Sequence, residues 1–538
     1  MTKHFALIIV LVFCYFGIHA QQQNLPLNFD WNNRVQRFIS EDKRLHTAIK
    51  PYLQSELNDV SIDTLNELGM PDSLQAGFKF GLTSGDMISF RAKKKRNVYL
   101  SINPIVDMQV GYNINDKELA YTIGYGAQAN FDLGKKLSLS FTYQGVLENF
   151  LPQITSYAKT YGALTGYRGV DFKGNTLRSQ QLSGYISFSP NKHFNLQVGN
   201  DKNFWGDGYR TFFIGDNASN YPYVKLSTNF WRIKYTYLLN FMRYGEVNGF
   251  NVDNNRNNFK TKYGSFHYLS VDVAKWFQFG FFEGVTWFHE DSSRVRGIEF
   301  SYLIPNLFVR PVEFALGSPD NVVLGLNLKF KPSTKNDIYV QIVLDDMDVA
   351  KARRGRGFYR TKVAAQIGFK SYDLFKVKHL DFLTEMNVVR PYVFAHKVPA
   401  QNYTHFNQSL THPLGANFWE NITIISYWHK HWQASAKVQF ARKGLDGIAE
   451  HNGSNIFVSD FIIAADLNEA YGNKFLQGIK TNITNIELRG GYLLNPKINL
   501  GLELVYNYRN IKNDYAKQNY NYFGVALRTN IFNRYSDF

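Results

Sequence analysis

The sequence predicts an all-β protein: a closed antiparallel transmembrane β-barrel of about eighteen strands, preceded by a short N-terminal helical segment. Three observations predict it. Apolar and polar residues alternate in segment after segment of roughly ten residues. Aromatic residues make up 16 % of the chain, as 45 Phe, 34 Tyr and 8 Trp, and yet the mean hydropathy is -0.30. The chain also opens on a leader-like apolar stretch.

That leader comes first. Residues 1–20 carry Lys3, an apolar run over 5–18 and the ending Ile18-His19-Ala20 before Gln21-Gln22-Gln23, the pattern of a cleaved secretory signal peptide. Its apolar run is shorter than the roughly 18 residues a spanning helix needs. Cleavage removes Lys3 and lowers the net charge from +16 to +15. It also removes Cys14, the only cysteine, which excludes disulfides, thiolate metal sites and a cysteine nucleophile from the mature chain.

Residues 21–90 are read as a periplasmic helical segment. Trp31, Val35, Phe38, Ile39, Leu45, Ile49, Tyr52 and Leu53 recur at near-helical spacing until Pro51 interrupts it, so one or two short amphipathic helices plug or cap the barrel. A basic run, Arg91 to Arg96 with Lys93, Lys94 and Lys95, reads as a solvated turn before the first strand.

Residues 91–538 are read as the barrel. Leu137, Leu139, Phe141 and Tyr143 interleave with Ser138, Ser140, Thr142 and Gln144. Phe194, Leu196 and Val198 interleave with Asn195 and Gln197; Ile233, Tyr235, Tyr237, Leu239 and Phe241 make another apolar face, as do Val322, Leu324, Leu326 and Leu328. Near the end come Leu500, Leu502, Leu504 and Tyr506, then Phe523, Val525, Leu527 and Ile531, with a final Phe538 of the kind that often closes such barrels. A soluble sandwich shows the same alternation in strands of about five or six residues; these segments approach the nine to eleven that cross a bilayer at a tilt. In lipid an open sheet edge has no water to satisfy it, so the sheet closes. His429 and His431, beside Trp428 and Trp432, suit an interfacial belt.

Three segments interrupt the alternation with rings, charges and glycines. Residues 200–223 hold Trp205, Asp207, Tyr209, Arg210, Asp216 and Asn217; residues 344–359 hold Asp345 and Arg353, Arg354 and Arg356; residues 385–432 hold Glu385, Arg390, Tyr392, His405, His412 and Asn417. Flat rings cover the apolar face of a sugar, while carboxylates, amides and Arg forks bond its hydroxyls. The net basic charge suits an acidic polysaccharide. The same residues also suit a structural network that fills the lumen. Asp345 and Glu385 could pair as a glycosidase does, but strand-end Asp residues more often terminate ladders. The histidines lack metal-ligand spacing, and no nucleotide or nucleic-acid motif is present.

The stretches RPYVFAHKVPAQNYTHFNQSLTHPLGANFWE and NKHFNLQVGNDKNFWGDGYRTFFIGDNASNYPYVKL, with LDDMD and TEMNVVRPY, resemble the Wzi-like capsule-assembly outer-membrane barrels, in particular the Bacteroidetes branch that includes the gliding-motility protein RemB. The resemblance implies a monomeric barrel in a Gram-negative outer membrane, in contact with lipid and lipopolysaccharide. It implies a lectin-like, non-enzymatic and cofactor-free role: holding surface polysaccharide in capsule assembly, or supporting adhesion or gliding machinery. A porin-like transport channel is the alternative reading.

Overall fold

In the computed structural model, residues 22–538 are described apart from 42–45, 58–76, 93–96, 150, 175, 246–258, 291–294, 305–319, 346, 448–449 and 463–469. The leader and most of the basic run lie outside the described residues.

Eighteen long strands close into one antiparallel barrel. They are β1 (Val98–Asn113), β2 (Glu118–Leu133), β3 (Leu137–Asn149), β4 (Thr176–Asn191), β5 (Phe194–Asp201) and β6 (Tyr221–Phe230). Then come β7 (Ile233–Tyr244), β8 (Lys260–Ala274), β9 (Phe277–Phe288), β10 (Asn321–Ser333), β11 (Asn336–Asp345) and β12 (Val363–Ser371). The last are β13 (Leu380–Val389), β14 (Phe418–His429), β15 (Trp432–Leu445), β16 (Ile479–Asn495), β17 (Leu500–Lys512) and β18 (Lys517–Arg528). Closure runs through β1, whose second half pairs with β18 from Asp107↔Arg528 to Asn113↔Tyr522. Its first half instead pairs with Ile88–Ala92, which pairs in turn with Gly77–Phe80. The sheet therefore begins before residue 91, and Arg91 lies in a strand rather than a turn.

Tight turns such as 134–136, 231–232, 275–276 and 430–431 join strands at one end, while the longer connections β3–β4, β5–β6, β9–β10, β13–β14 and β15–β16 all leave from the other. The outward registers are apolar: Met108, Val110, Phe141, Ile186, Val198, Ile367, Leu502 and Leu504 are all exposed. At the tight-turn end Trp231, Trp276 and Trp432 are exposed too, with Trp432 against Tyr492 at 5.1 Å. Trp428 departs from the expected belt: it is buried, stacks on His379 at 3.8 Å and carries Arg34 over its ring.

The lumen is largely occupied, with a cavity of about 120 Å³ left between helix, tail and wall. Helix α1 (Phe29–Glu41) starts on an Asn28 side chain that accepts the Trp31 N–H at 3.0 Å, an ordinary N-cap. Its apolar stripe, Trp31, Val35 and Ile39, packs on Leu25, Tyr52 and Leu57, and Arg34, Arg37 and Asp30 anchor it to the wall through Gln433, Asp381 and Arg489. Ile49–Lys50 then pairs with Phe204–Trp205, joining this plug to a loop that descends from the other end. The final alternation does not continue to Phe538. β18 stops at Arg528, Asn530 takes a positive φ of 39°, and residues 529–538 turn into the lumen, where Phe538 packs on Tyr157 at 5.4 Å.

Candidate functional site

Loop 202–220 enters the lumen because its glycines permit close approach. A Cβ at Gly208 would lie 2.5 Å from Glu385 Oε2. Trp205 sits edge-on to Phe282 at 6.1 Å, and Phe213 stacks on Phe282 at 4.6 Å while filling the space over Gly325. The loop buries its rings against the inward faces of β8–β11, a core inside a barrel.

Polar residues of the loop meet the wall in two ionic centres. In the first, Asp207 accepts from Thr47 Oγ1 at 2.6 Å, Asn327 Nδ2 at 2.9 Å and Lys329 Nζ at 3.3 Å, and Lys329 also bridges Asp337 at 3.3 Å. Burial opposes ionisation of Asp207, but Lys329 and Lys50 outweigh it and hold the carboxyl below the usual range. In the second, Arg210 pairs with Asp537 at 2.7 Å and lies 3.5 Å from Glu420, between the rings of Tyr209 and Tyr535. Lys437 meets Asp537 at 3.0 Å, and Arg210 and Lys437 hold that carboxyl low against the effect of burial.

Glu385 has every acceptor position used. Oε1 accepts from Arg210 N and Asn387 Nδ2, both at 3.0 Å; Oε2 accepts from Tyr209 N at 2.9 Å and Tyr339 OH at 2.8 Å. Four donors fill a carboxylate. Asp345 accepts the Phe394 N–H at 2.6 Å, so the two carboxylates position backbone instead of flanking a glycosidic bond. Asp216 accepts from Tyr535 OH and Asn533 Nδ2, both at 2.7 Å, and Asn217 Nδ2 donates to Ser409 O at 2.6 Å.

Loop 390–417 descends beside the first. His412 Nε2 meets Glu420 at 2.6 Å. His405 Nδ1 accepts the Arg243 N–H at 3.0 Å and Nε2 faces Asn220 O at 3.2 Å, so it is a neutral Nε2–H tautomer; burial pushes its pKa down to about 3. Asn417, at φ 59°, donates to Gly444 O and Gln477 O at 2.9 Å. Tyr392 OH donates to His451 O at 2.9 Å, and half-buried Arg390 donates to Thr361 O at 3.0 Å.

Twelve of the thirteen sequence-selected residues are therefore buried, the least so being Tyr209 at 7 % exposed. Ten lie in or beside the lumen network, whereas Tyr392, Asn417 and Arg390 lie nearer the long-connection rim. In this conformation the expected sugar-facing platform of Trp205, Tyr209 and Arg210 is an internal packing surface. Sequence reading missed the tail 529–538, which supplies Asp537 and Tyr535, and missed the partners Thr47, Lys329, Glu420 and Lys437. The last three stand at polar positions of alternating strands, which was their available signal.

At the long-connection end, Lys351, Arg353, Arg354, Arg356 and Lys474 are exposed. Gly472 N donates to Arg356 O at 2.8 Å, which brings the 351–358 and 470–474 segments together. Phe358 meets Tyr471 at 5.3 Å, and Tyr359 meets Tyr392 at 6.2 Å. Among the described residues, no group of three His, Asp or Glu side chains is arranged to hold a metal ion.

These features define a class: a closed antiparallel barrel whose lumen is packed from both ends. No family model matches the chain, and no curated protein matches it in sequence. Among solved structures it is similar to Wzi of Escherichia coli, an outer-membrane protein involved in group 1 capsule assembly and described as a carbohydrate-binding β-barrel, with TM-score 0.52 and 11 % identity over 94 % of this chain and 99 % of that one. It is also similar to OprD of Pseudomonas aeruginosa, with TM-score 0.41 and 10 % identity over 84 % of this chain and 98 % of that one. At these identities the likeness to Wzi is one of fold.

Proposed function

We propose that this protein is a monomeric, non-enzymatic outer-membrane barrel that binds or organises acidic surface polysaccharide, in support of capsule assembly, adhesion or gliding. The observation that carries this reading is the occupied lumen. Loops 202–220 and 390–417, helix α1 and residues 529–538 occupy much of the space a porin keeps open, and ion pairs and strand pairing join them to one another and to the wall. The apolar outer wall and its tryptophans suit a bilayer, and tight turns opposite long connections support an extracellular position for the latter.

The glycan then meets the rim. Arg353, Arg354, Arg356 and Lys474 offer charge, while Tyr471 and Arg390 border it with a ring and a fork. Wzi, which shares the fold, is described as carbohydrate-binding, and this supports the substrate class. In planar bilayers the full chain should be nearly silent, and immobilised protein should retain an anionic polysaccharide. Replacing Arg353, Arg354 and Arg356 by Glu should weaken retention at least about tenfold, the loss of roughly 1.4 kcal/mol. Stable open conductance steps, or retention unchanged by the triple replacement, would overturn the reading.

A further inference from the structure

One stretch of outer wall breaks the alternation. Phe266 and Phe282 point into the lumen, where they meet Tyr403 at 5.8 Å and Trp205 at 6.1 Å. Their neighbours Ser265, His267 and Glu283 therefore point outward, with His267 directly opposite Glu283 and Tyr237. Ionisable side chains on a lipid-facing wall are costly. Yet Ser265 and His267 are 0 % exposed and Glu283 is 1 % exposed.

Residues 295–304, in the connection between β9 and β10, fold back over this wall from outside. The Tyr302 carbonyl accepts from Ser265 Oγ at 2.9 Å and from Tyr237 OH at 3.1 Å, and the Tyr302 ring lies 5.0 Å from Trp287. His267 is held between Tyr235 OH at 2.7 Å and Ser265 Oγ at 3.2 Å. Ser265 lies well inside β8, about 12 Å along the barrel axis from Lys260 at the usual rise and tilt. That distance is roughly half the height of the usual apolar band, about 25 Å.

The exposed large side chains of the strap are apolar, Phe300 at 80 %, Val295 at 71 %, Ile304 at 61 % and Ile298 at 42 %, while its one acid, Glu299, is half-buried 3.8 Å from Arg296. Its cation is turned in and neutralised, for Arg296 is buried and forks onto Asp320 at 2.6 and 2.9 Å, where Tyr302 OH also donates. Beside it, the wall continues as exposed Leu326, Ile342 and Leu344. A loop at an aqueous rim would not expose four large apolar side chains while sealing its one buried cation.

We propose that residues 295–304 are embedded in the outer leaflet, with Val295, Ile298, Phe300 and Ile304 against lipid acyl chains and Ser265, His267 and Glu283 sealed from hydrocarbon beneath them. This rests on the outer-membrane reading above. In a Cys14→Ser background, Phe300→Cys and Leu326→Cys are labelled with an environment-sensitive fluorophore. The full chain is then reconstituted in phosphatidylcholine–phosphatidylglycerol vesicles, with either nitroxide-bearing acyl chains or aqueous iodide as quencher. The expected result is nitroxide quenching at 300 comparable to that at 326, with little quenching by iodide at either. Iodide quenching at 300 with nitroxide quenching at 326 overturns the strap while leaving the barrel in its membrane. Protection of 300 from both quenchers also overturns it, since a protein or a second copy then covers the site. Absence of nitroxide quenching at 326 defeats the membrane reading itself.

Discussion

The lumen network and the long-connection rim use the same residue types for opposite ends. Around Asp207 and Arg210, arginine, lysine, carboxylates and tyrosines are buried and paired, so charge is spent on holding loop, tail and wall together. Around Arg353, Arg354 and Arg356 the cations are exposed and free to meet a partner from solution. The difference teaches that a ring-and-charge cluster in a barrel sequence marks an inward-folding loop as readily as a ligand site. The two regions should respond oppositely to substitution: interior changes move stability, rim changes move binding.

The sharpest test of the interior is Asp537→Ala. It leaves Arg210 and Lys437 with only the more distant Glu420 at 3.5 Å and Glu487 at 3.6 Å, so the loss falls below the about 3–5 kcal/mol that a fully uncompensated buried charge costs. A matching fall in the denaturant midpoint of the reconstituted barrel is expected; an unchanged midpoint would mean that the tail does not fasten the lumen. Gly325→Ala comes next, because its Cβ would stand 2.3 Å from Phe213 Cε1. Overpacking of that kind costs about 1–3 kcal/mol, read in the same titration.

Acid should loosen the interior gradually. His405 has its pKa lowered from 6.5 to about 3 by burial, so the unfolded chain binds the extra proton. Its contribution is complete above about pH 6.5 and is lost as pH falls toward 3, at up to about 1.4 kcal/mol per pH unit. His405→Gln should flatten that slope in a pH series of unfolding midpoints. The smallest stability effect belongs to the rim: replacing Arg353, Arg354 and Arg356 by Glu should change stability by no more than about 0.5 kcal/mol while abolishing most polysaccharide retention. A large stability loss there would erase the contrast between the two regions.

Much of the fold was legible. Period-two segments located the strands, and Trp31, Val35 and Ile39 marked the helix that plugs the lumen. The gathering of glycines and rings at 200–223 coincides with the inward loop 202–220, whereas 385–432 runs over the end of β13, loop 390–417 and β14. Their roles were not legible, because Arg210 and Asp537 meet across 327 positions. Glu385 reads as a candidate acid until four donors from three separate segments are seen around it. The tail was misread as strand because alternation through Ile531 is local, whereas the inward turn at Asn530 leads to partners on β1, β3 and β15.

By itself, then, the sequence determined that this chain makes long two-faced strands, that an apolar face needs a nonaqueous neighbour, and that rings collect at strand ends. Those are consequences of side-chain alternation over a few residues. Only the tertiary structure decided which polar residues fill the lumen, which remain at the rim, and why Ser265, His267 and Glu283 can sit on an outer wall. Pairing of buried charge and coverage of a wall depend on contacts between distant segments, and those exist only once the barrel has closed.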